Sequence, residues 1–435
     1  WNSKKMILSE NIKNEILLNY YKIQSISKFI LIIMIVLLSF SLPFGWLAGR
    51  DIINNMFYVW LITLNFKYIY FYLKNNKAVL LLFLLFLSIT FSSFIVPSDN
   101  YENYRMFIKY FFLPILIIIT SIKRHHIKYL INGFLIGMLI NEFISYGMYF
   151  GYIKDSFFGY TLTGSESNPV PFLSTHIQYT IYLSFAIVLS FFTFFNSKNI
   201  FIKIVIGIFT VTMVINIFLT IGRTGQFTLL MTSVFLAIIY FRNNWKYILY
   251  SLVGLGIVFI IAFNFSSNTN ARIKQGYSDI EKVIKEKDFN TSFGIRLSSY
   301  IIIPDIIKDE RFNIFYGMGY CKVNDNIMDI QLNKFGKDSG FKDTFGYLHN
   351  TYISMLAGTG FVGFVIFIIF WFYLFFIRIE DYYLNFIRYA NMFVITFQGI
   401  SNELFWQHEI MLLSAVFISI TTYVTTKNNK EELNA

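Results

Sequence analysis

Apolar runs long enough to cross a lipid bilayer recur along most of this chain. About 20 consecutive apolar residues in a helix span the hydrocarbon core. A window of that size finds twelve such runs, of which the second, interrupted by Asn54, Asn55 and Asn65, and the eleventh are the weakest. The pattern predicts an all-α integral membrane protein with about twelve transmembrane helices, at 29–46, 53–73, 78–96, 106–122, 128–150, 173–195, 199–219, 225–241, 247–265, 351–377, 383–400 and 405–425.

One long polar segment, 266–348, interrupts this series after the ninth run. It divides the chain into three parts. Residues 1–265 carry the first nine predicted helices, residues 266–348 form a loop outside the membrane, and residues 349–435 carry the last three helices and a cytoplasmic tail. No small-residue cleavage site precedes the first run, so we expect that run to remain as an anchor.

The loop is predicted to be partly helical. Apolar residues recur at every third or fourth position over 271–285, which predicts one helix. A second helix is predicted over 294–307 despite Pro304. The remainder is rich in Gly, Asn and Asp, and we interpret it as an irregular lid or cleft wall.

The composition excludes a water-soluble protein. Hydrophobic residues make up 56% of the chain and charged residues only 14%, whereas soluble domains carry about 25% charged residues. The charges cluster between the apolar runs and do not alternate with apolar residues, which excludes a transmembrane β-barrel. Helices are the remaining way to satisfy backbone hydrogen bonds in lipid.

The basic residues predict the orientation. With the N-terminus in the cytoplasm, the cytoplasmic segments hold 19 Lys and Arg residues and the short outer segments hold five. Basic residues favour the cytoplasmic side in short loops. Both termini are therefore predicted to be cytoplasmic, and the long loop, which carries 12 basic and 11 acidic residues, is predicted to be external.

The charged and sulfur-containing residues exclude several classes of function. The net charge of +11 is mostly the orientation signal just described, so it does not indicate nucleic-acid binding. Cys321 is the only cysteine, which excludes CxxC chemistry. No DxD-like carboxylate pair stands out to hold a divalent ion, because Asp325 and Asp329 are four residues apart and Asp309 and Glu310 are adjacent. We therefore expect chemistry without a metal or another cofactor.

Arg223 lies in the sequence FLTIGRTGQ, where the seventh predicted helix ends and the eighth begins. An arginine at the membrane edge can simply reach the phospholipid headgroups. It can also bind a diphosphate, and the small, polar neighbours Thr220 and Thr224 favour that function. Arg296, in TSFGIRLSSY of the loop, would serve as the second cation, because two arginines can bind a diphosphate bidentately.

His349 stands in GYLHNTY, where the loop returns to the tenth predicted helix. An imidazole titrates near neutral pH and can remove a proton from an attacking hydroxyl. The structural alternative is a histidine that caps the helix together with Asn350. The position opposite the Arg223 turn, at the same face of the membrane, favours the catalytic role.

Three further polar residues are candidates for lining the same cleft, in addition to Thr220, Thr224, Arg272 and Asn350. His176 lies at the outer start of the sixth predicted helix, and Glu403 and His408 lie near the last outer turn. Buried polar groups in helical membrane proteins often serve packing alone, and this alternative stays open for all three.

The order of these motifs resembles the O-antigen ligase family, which belongs to a superfamily shared with the Wzy-type O-antigen polymerases. The resemblance rests on an outer-edge Thr-x-x-Arg-Thr at Arg223, on Thr-Ser-x-Gly-x-Arg-Leu at Arg296, and on Leu-His-Asn at His349 before a Gly-rich helix. It covers about residues 205–420. The stretch from Arg272 through Arg296 resembles ligases more than polymerases.

The resemblance implies a glycosyltransferase of the GT-C type in the bacterial inner membrane, with its active site on the periplasmic face. Such an enzyme moves a preassembled glycan from undecaprenyl diphosphate to a sugar hydroxyl of lipid A-core, without a metal and with inversion at the anomeric carbon. Carried onto this chain, Arg223 and Arg296 would bind the diphosphate, and His349 would activate the acceptor hydroxyl.

Two alternatives remain open. A Wzy-type polymerase would use the same donor and differ in its acceptor. A transporter of the lipid-linked glycan would also have about twelve spans, but transporters place their ionisable residues near the membrane midplane. The candidates here lie at the outer face, which disfavours a transporter.

Overall fold

The computed structural model describes residues 2–265, 267–336, 340 and 342–425. Helices dominate the described chain. The part before the long loop contains α1 (Asn2–Ser41), α2 (Trp46–Thr63), α3 (Ile69–Asn75), α4 (Lys77–Ile95), α5 (Glu102–Phe107), α6 (Leu113–Ser121), α7 (Ile127–Tyr149), α8 (His176–Asn196), α9 (Ile200–Leu219), α10 (Arg223–Phe241) and α11 (Trp245–Phe265). A short hairpin of β1 (Ser156–Phe157) and β2 (Tyr160–Thr161) lies between α7 and α8.

The long loop and the last part of the chain are also mainly helical. The loop contains α12 (Ser267–Glu281), α13 (Ser292–Ile301), α14 (Ile303–Lys308) and α15 (Val323–Phe335). Three helices follow it, namely α16 (Thr351–Phe376), α17 (Tyr382–Ser401) and α18 (His408–Thr425). The predicted cytoplasmic tail, with Lys427 and Lys430, lies outside the described residues.

Nine helical segments of the described residues are long and apolar enough to cross a membrane. The predicted runs at 53–73, 247–265 and 383–400 are not among them, although each lies largely in a helix. The run at 53–73 is broken, because α2 ends at Thr63 and the next residue, Leu64, has a left-handed φ of 54°. Asn65 follows and donates to the Ser121 hydroxyl at 3.1 Å, which fixes this break against α6.

Capping side chains explain where several helices begin. A cap accepts hydrogen bonds from the first free backbone amides of a helix. Asn76 accepts from Ala78 and Val79 at the start of α4, and Thr175 accepts from Gln178 at the start of α8. The same function is performed by Asn199 for α9, Asn350 for α16 and Asp381 for α17.

The loop helices differ from their prediction in two ways. The second predicted helix is divided into α13 and α14 at Ile302, two residues before Pro304, as the missing amide hydrogen of proline explains. The prediction of an irregular remainder is wrong for α15. Its buried residues Val323, Ile327 and Ile330 are spaced by four and three, but Asn and Asp surround them and obscure this pattern.

The loop has its own small hydrophobic core, and this core includes the start of α16. Its buried members are Ile302, Ile306, Met318, Val323, Ile327, Ile330, Leu348, Ile353 and Ala357. Because the last two belong to α16, the loop is packed onto a membrane helix. It is a fixed part of the fold, in contrast to a detached lid.

A break in α16 holds the loop in place. Gly360 has φ 69° and ψ −173°, a conformation that side chains rarely adopt. A Cβ at Gly360 would lie 2.6 Å from the carbonyl oxygen of Ile314. The amide of Phe361 instead donates to that carbonyl at 2.8 Å, and Met318 donates to the Ala357 carbonyl at 2.8 Å. The loop backbone therefore completes the hydrogen bonding of the broken helix.

Candidate active site

Arg223 is the first residue of α10 and follows a turn of three residues after α9. Close packing of α8 and α10 sets its position. A Cβ at Gly225 would lie 2.2 Å from the Cβ of Thr180, so only glycine allows the two helices to approach this closely. The guanidinium of Arg223 thereby extends from the end of the bundle toward the loop helix α12.

Asp279 of α12 forms an ion pair with Arg223. The Nη2 atom of Arg223 lies 3.2 Å from Oδ2 of Asp279, and Nη1 donates to the carbonyl of Arg272 at 3.4 Å. The Asp279 carboxylate is buried, while Arg223 keeps 30% of its side chain exposed. Burial and the nearby charge of Arg223 lower the pKa of Arg272, which shows that like charges are held together here.

Arg296 approaches this pair from α13. Thr291 caps that helix by accepting from the Gly294 amide at 2.9 Å, which fixes the first turn. The Nε atom of Arg296 donates to the Ser401 carbonyl at 3.1 Å, and Nη1 donates to the Ser292 carbonyl at 2.6 Å. Burial and the charge of Arg223 lower the pKa of Arg296. Three guanidinium groups thus share Asp279 as the carboxylate that acts on each of them.

His349 is held in a strained backbone conformation directly before α16. Its φ of 46° lies in the left-handed region, which costs a residue other than glycine about 1 to 3 kcal/mol. The ring is largely buried, and its Nε2 atom has no hydrogen-bond partner among the described residues. Burial, and then the charge of Arg296, lower the pKa of His349 to about 4. The imidazole is therefore neutral at pH 7 and can accept a proton.

A buried carboxyl group supports this strained backbone. Oε1 of Glu403 accepts from the Leu348 amide at 2.5 Å and from the Ser354 hydroxyl at 2.8 Å. The amide of His349 also acts on this carboxyl group as a hydrogen-bond donor. Burial raises the pKa of Glu403 to about 7. Glu403 therefore contacts the backbone that presents His349, although 54 residues separate the two in the sequence.

Asn350 caps the start of α16. The sequence alone did not decide whether His349 shares this role. The Oδ1 atom of Asn350 accepts from Tyr352 and Ile353 at 2.9 Å each. Its Nδ2 donates to the Tyr300 hydroxyl at 2.7 Å and to the Ile400 carbonyl at 2.9 Å. Asn350 thus ties together the loop, α16 and α17, and His349 is left without a capping role.

The other residues predicted to line the cleft are distributed differently. His176, the first residue of α8, interacts electrostatically with Arg223, Arg272 and Arg296. It therefore lies beside the arginine cluster.

Thr220, Thr224 and His408 were also predicted to line the cleft. Thr220 is fully buried and donates to the Ile217 carbonyl at 2.9 Å, and Thr224 is buried in the first turn of α10. The Nε2 atom of His408 lies 3.2 Å from the Glu409 carboxylate. These contacts give Thr220 and His408 structural roles.

Sequence reasoning missed Asp279 and Tyr300. Asp279 follows Arg272 by seven residues, which is two helical turns and places both on one face of α12. That spacing was the available signal for Asp279. No comparable pattern marks Tyr300, because its contact with Asn350 joins residues that are 50 positions apart.

Residues 208–368 match the family model of the O-antigen ligases. This match supports membership of the O-antigen ligase family. No curated protein matches the chain. The matched region begins within α9, includes the whole loop and ends within α16.

The match to the O-antigen ligase model supports a ligase- or polymerase-type function in O-antigen processing, and it does not separate the two. Three residues of the cluster, Arg223, Arg296 and His349, lie inside the matched region, whereas His176 and Glu403 lie outside it. Within the part of the chain that the structure describes, no three His, Cys, Asp or Glu side chains form a metal-binding group.

Proposed function

We propose that this member of the O-antigen ligase family is a glycosyltransferase that moves preassembled O-antigen from undecaprenyl diphosphate to a hydroxyl of lipid A-core. The observation that carries the proposal is the convergence of Arg223 and Arg296 with a buried, neutral His349. Cations beside a neutral base are what the departure of a diphosphate and the activation of a hydroxyl require.

The arginines act on the leaving group in this proposal. The bond between the anomeric carbon and the diphosphate oxygen breaks, and its electron pair stays on the diphosphate. Arg223 and Arg296 would bind that charge, with Arg272 and His176 at the edge of the same cluster. Asp279 offsets only part of the positive charge, so an anionic group is attracted to the site.

His349 would act on the acceptor. Its Nε2 atom takes the proton of the acceptor hydroxyl while the hydroxyl oxygen bonds to the anomeric carbon from the opposite side, which inverts the configuration. The low pKa keeps the base unprotonated at neutral pH. The proposal includes no metal and no other cofactor, because the guanidinium groups supply the positive charge.

The proposal also includes the membrane arrangement. The twelve predicted helices would cross the inner membrane in a GT-C-type architecture, with both termini in the cytoplasm. The 19 basic residues of the predicted cytoplasmic segments support this orientation. The loop and the arginine cluster would then lie on the periplasmic side.

A gel profile of surface glycolipids tests the function. A strain that lacks this protein is complemented with the wild type, with His349→Ala, or with Arg242→Gln. Arg242 is an exposed arginine just beyond α10, at the opposite end of that helix from Arg223, and its substitution controls for expression.

We expect His349→Ala to leave lipid A-core without glycan while long polymer accumulates on the lipid carrier, and Arg242→Gln to restore the wild-type profile. Lipid A-core that carries a single repeat unit would identify a polymerase instead. An unchanged profile in the strain without the protein would exclude both functions.

A further inference from the structure

A cavity of about 990 Å³ lies at the end of the bundle opposite the candidate active site. It is located where the α1 helix approaches α3, the end of α6 and the start of α7. The α7 helix begins at this cavity and ends in the segment that leads to His176. Its 23 residues correspond to ~34 Å of helix, so the cavity is a separate site.

Basic and hydrogen-bonding groups line one part of the cavity. Lys28, Lys123, His125 and His126 contribute to its wall. The Nδ1 atom of His126 accepts a hydrogen bond from the Lys123 amide at 2.9 Å, so the neutral ring carries its hydrogen on Nε2 and offers a donor. None of the residues that line the cavity is acidic. This part of the cavity suits an anion.

The α1 wall of the same cavity is apolar. This wall consists of residues that are spaced along one face of the helix, namely Phe29, Ile32, Ile33, Val36 and Leu37. Phe29 is 67% exposed, Ile33 is 43% exposed and Leu37 is 47% exposed, so the protein covers this wall incompletely. The polar residues Asn65, Thr120 and Ser121 line the cavity as well, and Thr120 and Ser121 shortly precede Lys123 in the chain.

The cavity therefore combines cationic, polar and apolar lining groups, which match the groups that a phospholipid presents. We propose that it binds an anionic glycerophospholipid of the adjacent leaflet. The phosphate would lie between Lys28, Lys123 and the Nε2–H of His126, and an acyl chain would cover the apolar wall of α1. Basic pockets between transmembrane helices are a recognised type of site for anionic headgroups.

Other ligands fit the cavity less well. A soluble phosphate compound would leave the apolar wall uncovered, and burying that wall is favourable. A zwitterionic phospholipid would place the cationic part of its headgroup next to Lys28 and Lys123. The cavity lies between part of α1 and the end of α6, so a bound lipid would stabilise the packing of these two helices.

Native mass spectrometry of the full-length protein in detergent tests this site. The protein is titrated with phosphatidylglycerol and, separately, with phosphatidylcholine that carries the same chains. We expect the wild type to bind one phosphatidylglycerol at least tenfold more tightly than phosphatidylcholine, and the double variant Lys28→Ala/Lys123→Ala to lose this preference. Equal affinity of the wild type for the two lipids would overturn the proposal.

A matched control separates the cavity from the general positive charge of this end of the bundle. Lys198→Ala/Lys203→Ala removes the same charge from the α8–α9 turn and the first turn of α9, neither of which lines the cavity. We expect this control to keep the preference for phosphatidylglycerol. A loss equal to that of the Lys28 and Lys123 variant would mean that the preference is not local, and it would refute the site.

Two further measurements distinguish the source of the phosphate and guard against misfolding. Ile33→Trp fills the apolar wall without a change in charge, and we expect it to abolish lipid binding while thermal unfolding shows an intact fold. Glycerol 3-phosphate at millimolar concentration should not displace the lipid. Displacement by glycerol phosphate would show a site for soluble phosphates. Full lipid binding by Ile33→Trp would show that the lipid does not use the apolar wall. Either result would contradict the proposal.

Discussion

Glu403 provides the sharpest test of how the site is built, because it contacts the backbone that presents His349. Replacing it with alanine removes the acceptor for the Leu348 amide and the Ser354 hydroxyl. A hydrogen bond to a charged group contributes ~1.5 to 3 kcal/mol. Without it, we expect His349 to leave its left-handed conformation, which itself costs about 1 to 3 kcal/mol.

The size of the effect on the rate follows from these energies. If about 2 to 3 kcal/mol of positioning is lost from the transition state, the rate falls by ~30- to 150-fold, since each 1.36 kcal/mol corresponds to a factor of ten. Glu403→Gln keeps an oxygen acceptor and loses only the charge. We therefore expect a smaller loss of about fivefold for Gln, corresponding to about 1 kcal/mol.

The pH dependence distinguishes positioning from a general loss of structure. Burial raises the pKa of Glu403 to about 7, so its carboxyl group ionises as the pH rises through 7. The ionised form is the stronger acceptor and attracts the protonated His349 of the transition state, so activity should rise over this range. Glu403→Gln cannot ionise, and this dependence should disappear.

Stability should respond in the opposite direction. Because the folded pKa of Glu403 exceeds the ordinary value for glutamate, the folded protein holds the proton more tightly than the unfolded chain does. The resulting stabilisation is present at low pH and is lost as the pH rises toward and through 7. A simple loss of folding could therefore not imitate the expected rise in activity.

The assay is glycan transfer by purified protein in proteoliposomes, with kcat and KM for the acceptor measured between pH 5.5 and 8.5 (a range spanning about 1.5 pH units on either side of the Glu403 pKa). Glu409→Gln is the control, because Glu409 is also buried but bonds to Gln178 at 3.0 Å and does not contact His349. It should keep the pH dependence. Wild-type rates in both Glu403 variants, with an unchanged pH profile, would refute the reasoning.

Three further predictions concern the arginine cluster and the break in α16. Arg223→Lys should lower kcat/KM for transfer by about 10- to 100-fold, because an ammonium cannot bind a diphosphate bidentately, whereas Arg242→Lys should have no effect in the same assay. Asp279→Asn should release Arg223 and tighten binding of undecaprenyl diphosphate several-fold in a titration, and weaker binding would contradict the role of Asp279 as a competing anion. Gly360→Ala should lower the free energy of unfolding by at least ~2 kcal/mol in thermal unfolding, since a Cβ would strike the Ile314 carbonyl.

The sequence predicted the membrane helices because a bilayer requires long apolar runs, and the nine segments that could cross a membrane all coincide with predicted ones. It also separated the loop from the membrane region. It could not predict the break at Leu64 or the helix α15. Both depend on contacts across the fold, such as the hydrogen bond between Asn65 and Ser121.

The site was only partly predictable for the same reason. Arg223, Arg296 and His349 stand at recognisable motifs, but their proximity depends on how the loop packs, which no local pattern describes. No pattern in the sequence indicates that Glu403 supports Leu348 and His349, because the segment of Glu403 meets the segment of Leu348 and His349 only through tertiary structure. Local sequence patterns therefore indicated which residues to examine, and the fold determined how they act on one another.

The core that the loop shares with α16 has a consequence for how the protein is made. The loop leaves the ribosome before α16, so Ile302 and Ile327 have no complete core until Ile353 and Ala357 have been synthesised and inserted. Glu403, which holds the backbone before His349, follows later still. The site is thus assembled only after Glu403 has been synthesised. A chain that stops before α16 exposes the apolar side of its loop and is a natural target for quality-control proteases.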